Sequence, residues 1–421
     1  MLSVPYLREH REEAIAGLKK RGVEAAPLID KVMALDDERK TQQQAHDGLL
    51  AEMNRLSKSI GQLYKEGKRE EAEEKKAAVS ALKEKASGLE AARKDTLLAL
   101  QEVLEQIPNV PHETVAAGQS EEDNVLVREG ELAAAPNQKK PHWDIAKDLD
   151  ILDFELGNVL TGSGFPVFRG KGARLQRALI SYFLDQAQEQ GYEEVMPPLL
   201  VNADSAYATG QLPDKEGQMY TITEDQLYLI PTAEVPITNI YRGRLLEESD
   251  LPRKHVGYTP CFRREAGSYG KDVRGLNRVH QFDKVEIVQL VHPEHSYQVL
   301  EDMVSYVESL VQSLELPYRI VRLCGGDLGF TSALTYDFEV YAAAQDKWLE
   351  VSSVSNFEDF QSQRLNCRFR DDNKKKHLVH TLNGSALALP RIMAALLENH
   401  QDSHGIVVPE VLRPYTGFDR I

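Results

Sequence analysis

A chain of 421 residues exceeds what one hydrophobic core usually organises, so two domains are expected. Its net charge of −16 and 28% charged residues suit a soluble protein, and no apolar run approaches the ~18 residues of a membrane-spanning helix, which excludes membrane classes. Cys261, Cys324 and Cys367 are widely spaced without a C-x-x-C pair, so neither a disulfide framework nor a zinc knuckle is expected, and a reducing, cytoplasmic compartment is.

The opening MLSVPYLREHREEAI has no apolar stretch and resembles neither a secretory signal nor a transit peptide. Basic and acidic residues nearly balance up to Val110, so nearly all the acid excess lies beyond it and a polyanion meets least repulsion on the N-terminal segment. From Leu28 apolar positions step by fours and threes through Val32 and Leu35, then Leu49, Met53, Leu56, Ile60 and Leu63, with a polar middle at Arg39, Gln42 and His46. The pattern breaks at Tyr64–Arg69, where Gly67 can end a helix in the left-handed conformation. It resumes through Val79, Leu82, Ala86, Leu89, Thr96, Leu100, Val103 and Ile107. Spacing that averages 3.5 on both sides of a short turn predicts an antiparallel coiled-coil hairpin. Arg55, Lys58, Lys65, Lys68, Arg69, Lys75 and Lys76 gather toward its tip among acids. Taken alone, these charges fit a solvated face, a dimerisation arm or a surface that neutralises phosphates.

Residues 1–110 are thus expected to form a helical arm, 111–140 a polar linker rich in Pro and Gly, and 141–421 a second domain. Gly172–Gly191 reads as an amphipathic helix with Leu175, Leu179, Tyr182, Phe183 and Ala187 on one face, followed by a strand over Glu194–Val201. The paired prolines Pro197-Pro198 favour an edge or an interface for that strand. Cys261–Glu286 predicts two strands joined by a Gly-bearing loop over Ala266–Asn277. Arg263 and Glu265 are expected on one strand face, and Glu286 near the end of the return strand. A guanidinium beside fixed carboxylates suits a nucleotide and a zwitterion held together.

The ordered set is specific. A helix ending before Gly191 leads to Pro198-Leu199-Leu200. Phe262-Arg263-Arg264-Glu265 follows, and Thr381-Leu382-Asn383-Gly384-Ser385-Ala386-Leu387-Ala388-Leu389-Pro390-Arg391 comes last. These resemble the three signature motifs of class II aminoacyl-tRNA synthetases. With Pro231-Thr232-Ala233-Glu234, Glu350–Asn356 and the helical arm, essentially the whole chain resembles the seryl-tRNA synthetases. The resemblance implies an α+β fold: an antiparallel sheet flanked by helices, with the first motif at a homodimer interface. It implies activation of L-serine by ATP to seryl-adenylate, then transfer to tRNA(Ser); the family also charges the selenocysteine tRNA where one exists. The arm is then expected to hold the tRNA by shape and backbone.

The resemblance also implies residue roles. Arg263, Glu265 and Arg391 would be catalytic, with Arg263 bridging the serine carboxylate and the α-phosphate and Arg391 holding the γ-phosphate. Thr232, Ala233, Glu234, Arg263, Glu286, Asn383 and Ser385 would form the serine pocket. Arg263, Arg264, Glu265, Glu350, Val351, Ser352, Ser353 and Arg391 would bind ATP, with Glu350 and Ser353 supporting the Mg2+ that accompanies it. No zinc is expected. Ala386 and Pro390 stand where the third motif often has glycine. Competing readings are a non-catalytic relative, which the intact Arg263, Glu265, Glu350 and Arg391 oppose; a carrier-protein ligase, whose relatives lack the arm; and a coiled-coil scaffold, which leaves the chain beyond ~110 idle.

Overall fold

The structure, a computed structural model, describes residues 1–130, 139–265 and 274–421, and the chain divides into two compact units. One comprises Met1–Lys19 with Val23–Pro108, the other Lys20–Gly22 with Asn109–Ile421.

In the first unit two short helices, α1 (Val4–Glu9) and α2 (Arg11–Lys19), precede two long ones, α3 (Ala26–Lys65) and α4 (Arg69–Leu104). Ala72, Ala86, Thr96, Leu100 and Val103 are buried on α4, with Val79, Leu82 and Leu89 half-buried between them, so the heptad seam runs as its spacing requires. Its polar middle pairs across the hairpin, where Gln42 donates to the Thr96 hydroxyl at 3.0 Å and Arg93 to Gln43. Gly67, at φ +79°, ends α3: its N–H meets the Tyr64 carbonyl at 3.2 Å, and that of Lys68 meets Leu63 at 3.0 Å. One detail departs from expectation. The start of α3 buries Ile29 and Asp36 beside the expected Val32, while Leu28 and Leu35 are half-buried, and α1 packs against this helix.

Asp36 is the polar anchor of this unit. Arg8 lies 3.1 Å from it, Arg39 2.7 Å and Lys40 2.6 Å. Burial alone would raise its pKa, but Lys40, Arg39 and Arg8 together hold it down at about 2.

The second unit is built on an eight-stranded sheet. Its elements in chain order are β1 (Val125–Glu129), α5 (Gly170–Glu189), β2 (Glu193–Glu194), α6 (Glu234–Thr238), β3 (Arg253–Phe262), β4 (Gln281–Val291), α7 (Ser296–Ser313), β5 (Tyr318–Arg322), β6 (Leu334–Ala342), β7 (Lys347–Asn356), α8 (Phe360–Leu365), β8 (His380–Ala388) and α9 (Leu389–Asn399). The strands run in the order β1-β5-β6-β7-β8-β4-β3-β2 and pair antiparallel, except that β2 lies parallel to β3. One face packs Val285, Ile287, Phe338 and Leu382 against Leu179 and Phe183 of α5, Val304 and Val307 of α7, and Ile392 and Met393 of α9. The other face carries polar side chains on β7, β8 and the middle of β4, while Val288 and Leu290 of β4 join a second apolar cluster with Ala233 and Ile237.

Two sequence expectations are corrected. Residues 125–129, expected within the linker, are the edge strand β1, whose Val125 and Leu126 pair with Arg322 and Val321. Only Glu193–Glu194 pairs with the main sheet after α5, and Leu200–Asn202 joins a separate three-stranded sheet. Pro197 and Pro198, without N–H groups, interrupt pairing between them. The glycines Gly267 and Gly270 of the expected loop lie outside the described residues.

Asp36→Asn is expected to lower the melting temperature of the helical unit at pH 7. The folded pKa is depressed, so the carboxylate's contribution is present above its unfolded value near 4 and lost as pH falls through about 2. Melting followed by helical ellipticity at several pH values should show the native–variant gap closing over that window.

Candidate active site

The polar face of β7-β8-β4-β3 gathers most of the chemistry-bearing residues. On β3 and β4, Cys261 pairs with Phe282, Thr259 with Lys284 and Gly257 with Glu286, so these side chains share one face. Glu286 also stands opposite Ser385 on β8, whose Asn383 stands opposite Ser355 of β7. Two-residue periodicity then puts Thr381, Asn383 and Ser385 in one row beside Glu286. Gly257 is required here: a Cβ would lie 2.8 Å from Ile237 Cδ1 and 2.9 Å from the Val195 carbonyl. Its absence lets α6 settle on the sheet and bring Glu234 to the row.

At the centre is a buried group of charges. Lys284 Nζ lies 2.5 Å from Glu286 Oε2, with both side chains under a tenth exposed, and the Ser385 hydroxyl donates to the same carboxylate oxygen at 3.5 Å. Glu234 is buried on α6 and accepts from Gln361 Nε2 at 2.6 Å. Burial, then the neighbouring Glu286, pushes the Glu234 carboxyl up to about 7, while Gln361, Lys284 and Arg263 oppose the rise. Thr232 accepts the Glu234 N–H at its hydroxyl, 3.2 Å away, which shapes the turn into α6. Ala233 is fully buried and serves as packing.

Arg263 lies just past β3. Its N–H reaches the His280 carbonyl at 2.9 Å, its Nε the Pro231 carbonyl at 3.3 Å, and its guanidinium sits 5.2 Å from the Phe282 ring centroid. The expectation that Arg263 and Glu265 share a strand face is corrected. The strand ends at Phe262 and Glu265 turns at φ +48°, where its carboxylate meets Arg278 at 3.4 Å. Beyond Gln281 the pairing with β4 continues only through Arg263 and His280, so the ladder stops before Glu265. Arg264 is exposed, its N–H held by the Gln218 carbonyl at 2.9 Å.

Arg391 and Glu350 meet directly. Arg391, in the first turn of α9 after Pro390, donates from Nη1 to the Glu350 carbonyl at 2.7 Å and lies 3.5 Å from its carboxylate. Its Nε donates to the Asn277 carbonyl at 2.9 Å. A bulge in β7 explains the placement of Glu350: Ser352 stands opposite Phe338 and Glu350 opposite Glu339, with Val351 extra between them. Glu350 and Ser353 therefore share a face with Asp337, and the Ser353 hydroxyl donates to Glu350 at 3.4 Å. Val351 instead joins the core, and the buried Ser352 gives its hydroxyl to the Ser385 carbonyl at 2.6 Å, so neither side chain reaches toward a ligand.

Lys284, Gln361 and Asp337 were not singled out by the sequence reading. For Lys284 and Asp337 the alternation with Glu286 and the pairing of β6 with β7 were usable signals; for Gln361 there was none. Burial, then Glu350, pushes the Asp337 carboxyl well above its usual range, and its buried Oδ1 has no hydrogen-bond partner. With Glu350 and Ser353 this makes an all-oxygen donor set, which suits Mg2+. Among the described residues no three His, Cys, Asp or Glu side chains cluster as a metal site.

Comparison with known proteins gives the family of the chain. Residues 1–111 match the family Seryl-tRNA synthetase N-terminal domain, and residues 220–400 match the tRNA synthetase class II core domain (G, H, P, S and T). The chain is 48% identical to a serine–tRNA ligase of Salinibacter ruber, over all of this chain and 99% of that protein. It is 47% identical to that of Geobacter sulfurreducens, over 99% of each. The crystal structure of seryl-tRNA synthetase from Pyrococcus horikoshii complexed with ATP superposes with a TM-score of 0.93 at 36% identity, over 100% of this chain and 99% of that one. With fold, face and full-length likeness in accord, the chain belongs to the seryl-tRNA synthetase family of class II aminoacyl-tRNA synthetases.

Proposed function

We infer that the polar face of β7-β8-β4-β3 performs the reaction of the family, activating L-serine with ATP and passing serine to tRNA(Ser). The observation that carries the reading is the buried Glu234–Glu286–Lys284 group with Arg263 on the same face as the Arg391–Glu350 pair. One lysine set against two buried carboxylates leaves a deficit of positive charge, which the serine ammonium supplies. Thr232, Asn383 and Ser385 offer polar groups for the rest of the amino acid. A pocket that pairs with a hydroxyl rejects alanine, because its own groups would be left unpaired.

Arg263 holds the serine carboxylate against the α-phosphate and stabilises charge as the carboxylate oxygen bonds to phosphorus and pyrophosphate leaves. Phe282 offers a ring face for the adenine, and Glu265, braced by Arg278, an acceptor for its amino group. Arg391, held at Nε and Nη1, presents its remaining edge to the γ-phosphate. Mg2+, when bound with ATP, neutralises the phosphates; Glu350 and Ser353 would hold it, with Asp337 behind them. No protein nucleophile takes part, since positioning and charge suffice.

The N-terminal hairpin is the tRNA-holding element in this reading, and a selenocysteine tRNA with the same body would be a second substrate. The chain acts as a homodimer in this reading, because the segment through Pro198-Leu199-Leu200 resembles the motif that lies at the dimer interface in this class. A monomeric mass by sedimentation would overturn that. No helix among the described residues is long and apolar enough to cross a membrane, and the cytoplasm suits three free cysteines.

ATP–pyrophosphate exchange should depend on serine and be weak with threonine or alanine; faster exchange with either would overturn the reading. Arg391→Ala should lower exchange by roughly 100-fold or more while the fold persists by circular dichroism. Removing residues 36–102 should abolish tRNA charging and spare exchange, whereas equal loss of both would count against a dedicated tRNA arm. The acid limb of kcat/KM for serine should fall near pH 7, because only ionised Glu234 attracts the ammonium, and Glu234→Gln should erase that limb.

A further inference from the structure

Behind Glu234 lies a relay that the reaction does not use directly. Gln361, on α8, is 1% exposed, as is Thr381, the second residue of β8. Gln361 Nε2 lies 2.6 Å from Glu234 Oε1 and 3.5 Å from the Thr209 carbonyl, and the Thr381 hydroxyl donates to Gln361 Oε1 at 2.7 Å. These contacts fix which end of the amide faces the acid. Both the carboxylate and the Thr209 carbonyl accept hydrogen bonds, so only the NH2 end suits them, and the oxygen is left to the one donor present, Thr381. Turning the amide over would set oxygen against two oxygens and leave the buried Thr381 hydroxyl proton without its acceptor.

We propose that Gln361 and Thr381 are positioning residues for serine recognition: they lock one oxygen and the plane of the Glu234 carboxylate and favour its charged form for the incoming ammonium. The relay also ties α6, which carries Glu234, to the strand that carries Asn383 and Ser385, so both walls of the pocket share one register. The charged groups that face Glu234 are Glu286 and Lys284 on β4 and Arg263 beyond β3. Lys284 is already paired with Glu286, so the neutral amide is the nearest donor to Glu234 itself. Gln361 opposes the rise in Glu234's pKa, which is the direction the relay requires.

The proposal rests on the serine-activating reading above, and the test separates the two. Gln361→Met and Thr381→Val keep the side-chain volume and remove the donor or its orienting partner. In ATP–pyrophosphate exchange, both should raise KM for serine about tenfold, with kcat and KM for ATP within about twofold of native. Gln361→Met should also move the acid limb of kcat/KM for serine to higher pH, while Thr381→Ser, which keeps the hydroxyl, should behave as native. Variants that melt earlier but keep the native KM for serine and the native limb would show a purely structural tie and overturn the proposal. Should a variant fail to fold, Gln361→Glu serves in its place: it keeps an acceptor for Thr381 but sets a second acid against Glu234, and an unchanged limb there overturns the proposal equally. Native protein without serine-dependent exchange would instead sink the underlying activity.

Discussion

The second unit is organised around two carboxylates and one ammonium buried where α6 meets β4. Burying Glu234 and Glu286 against Lys284, with Arg263 the weakest of the charges that face Glu234, is unfavourable unless another cation completes the set, since an uncompensated buried charge is costly. The surrounding fold reads as what makes that burial tolerable. Gly257 lets α6 close on β3, the core on the far face anchors β4 through Val285 and Ile287, and Gln361 brings a neutral donor to the one acid without a lysine. A site that is short of positive charge when empty is selective when filled, because a neutral molecule of the same shape cannot relieve it.

The two arginines are held differently, and each restraint matches a different demand. Arg263 rests in the open end of the β3–β4 ladder, touching a carbonyl and an aromatic face, so its guanidinium keeps most of its donors. Arg391 is held at both Nε and Nη1 by backbone carbonyls, which removes rotamer freedom in advance. The carbonyl at Nε belongs to Asn277, whose neighbour Leu276 donates to the buried His142 at 2.9 Å, itself 2.7 Å from Glu398. The clamp is thereby tied into the interior through hydrogen bonds in place of apolar contact.

Much of this was legible in the sequence, for identifiable reasons. The heptad seam of α3 and α4 could be read residue by residue because a two-helix element has a single interface, and Gly67 marked its turn. Glu286 could be placed on its return strand from the alternation, while Ser385, Glu350 and Arg391 were named through the resemblance of their motifs to the family; the fold sets Glu286 opposite Ser385 and Arg391 beside Glu350. What escaped depended on pairing between distant segments. The strand in the expected linker is stabilised by β5, nearly 200 residues away; the rotation of Glu265 follows from where the ladder with β4 stops; and Gln361 matters only through what α6 brings to it. Val351 and Ser352 looked like ligand contacts beside Glu350, but the bulge turned one into the core and tied the other to a carbonyl.

That bulge sets a limit on how this protein can vary. A strand without the extra residue would alternate strictly, so Glu350 and Ser353, three positions apart, would point to opposite sides. Interval and bulge are therefore linked: an interval of three needs the extra residue to keep the acid on the face of Ser353 and Arg391, whereas an interval of two would reach the same face on a regular strand. Lineages of this enzyme should therefore gain and lose residues freely in the loops around β7, while inside it the three-residue interval and the bulge are kept or lost together.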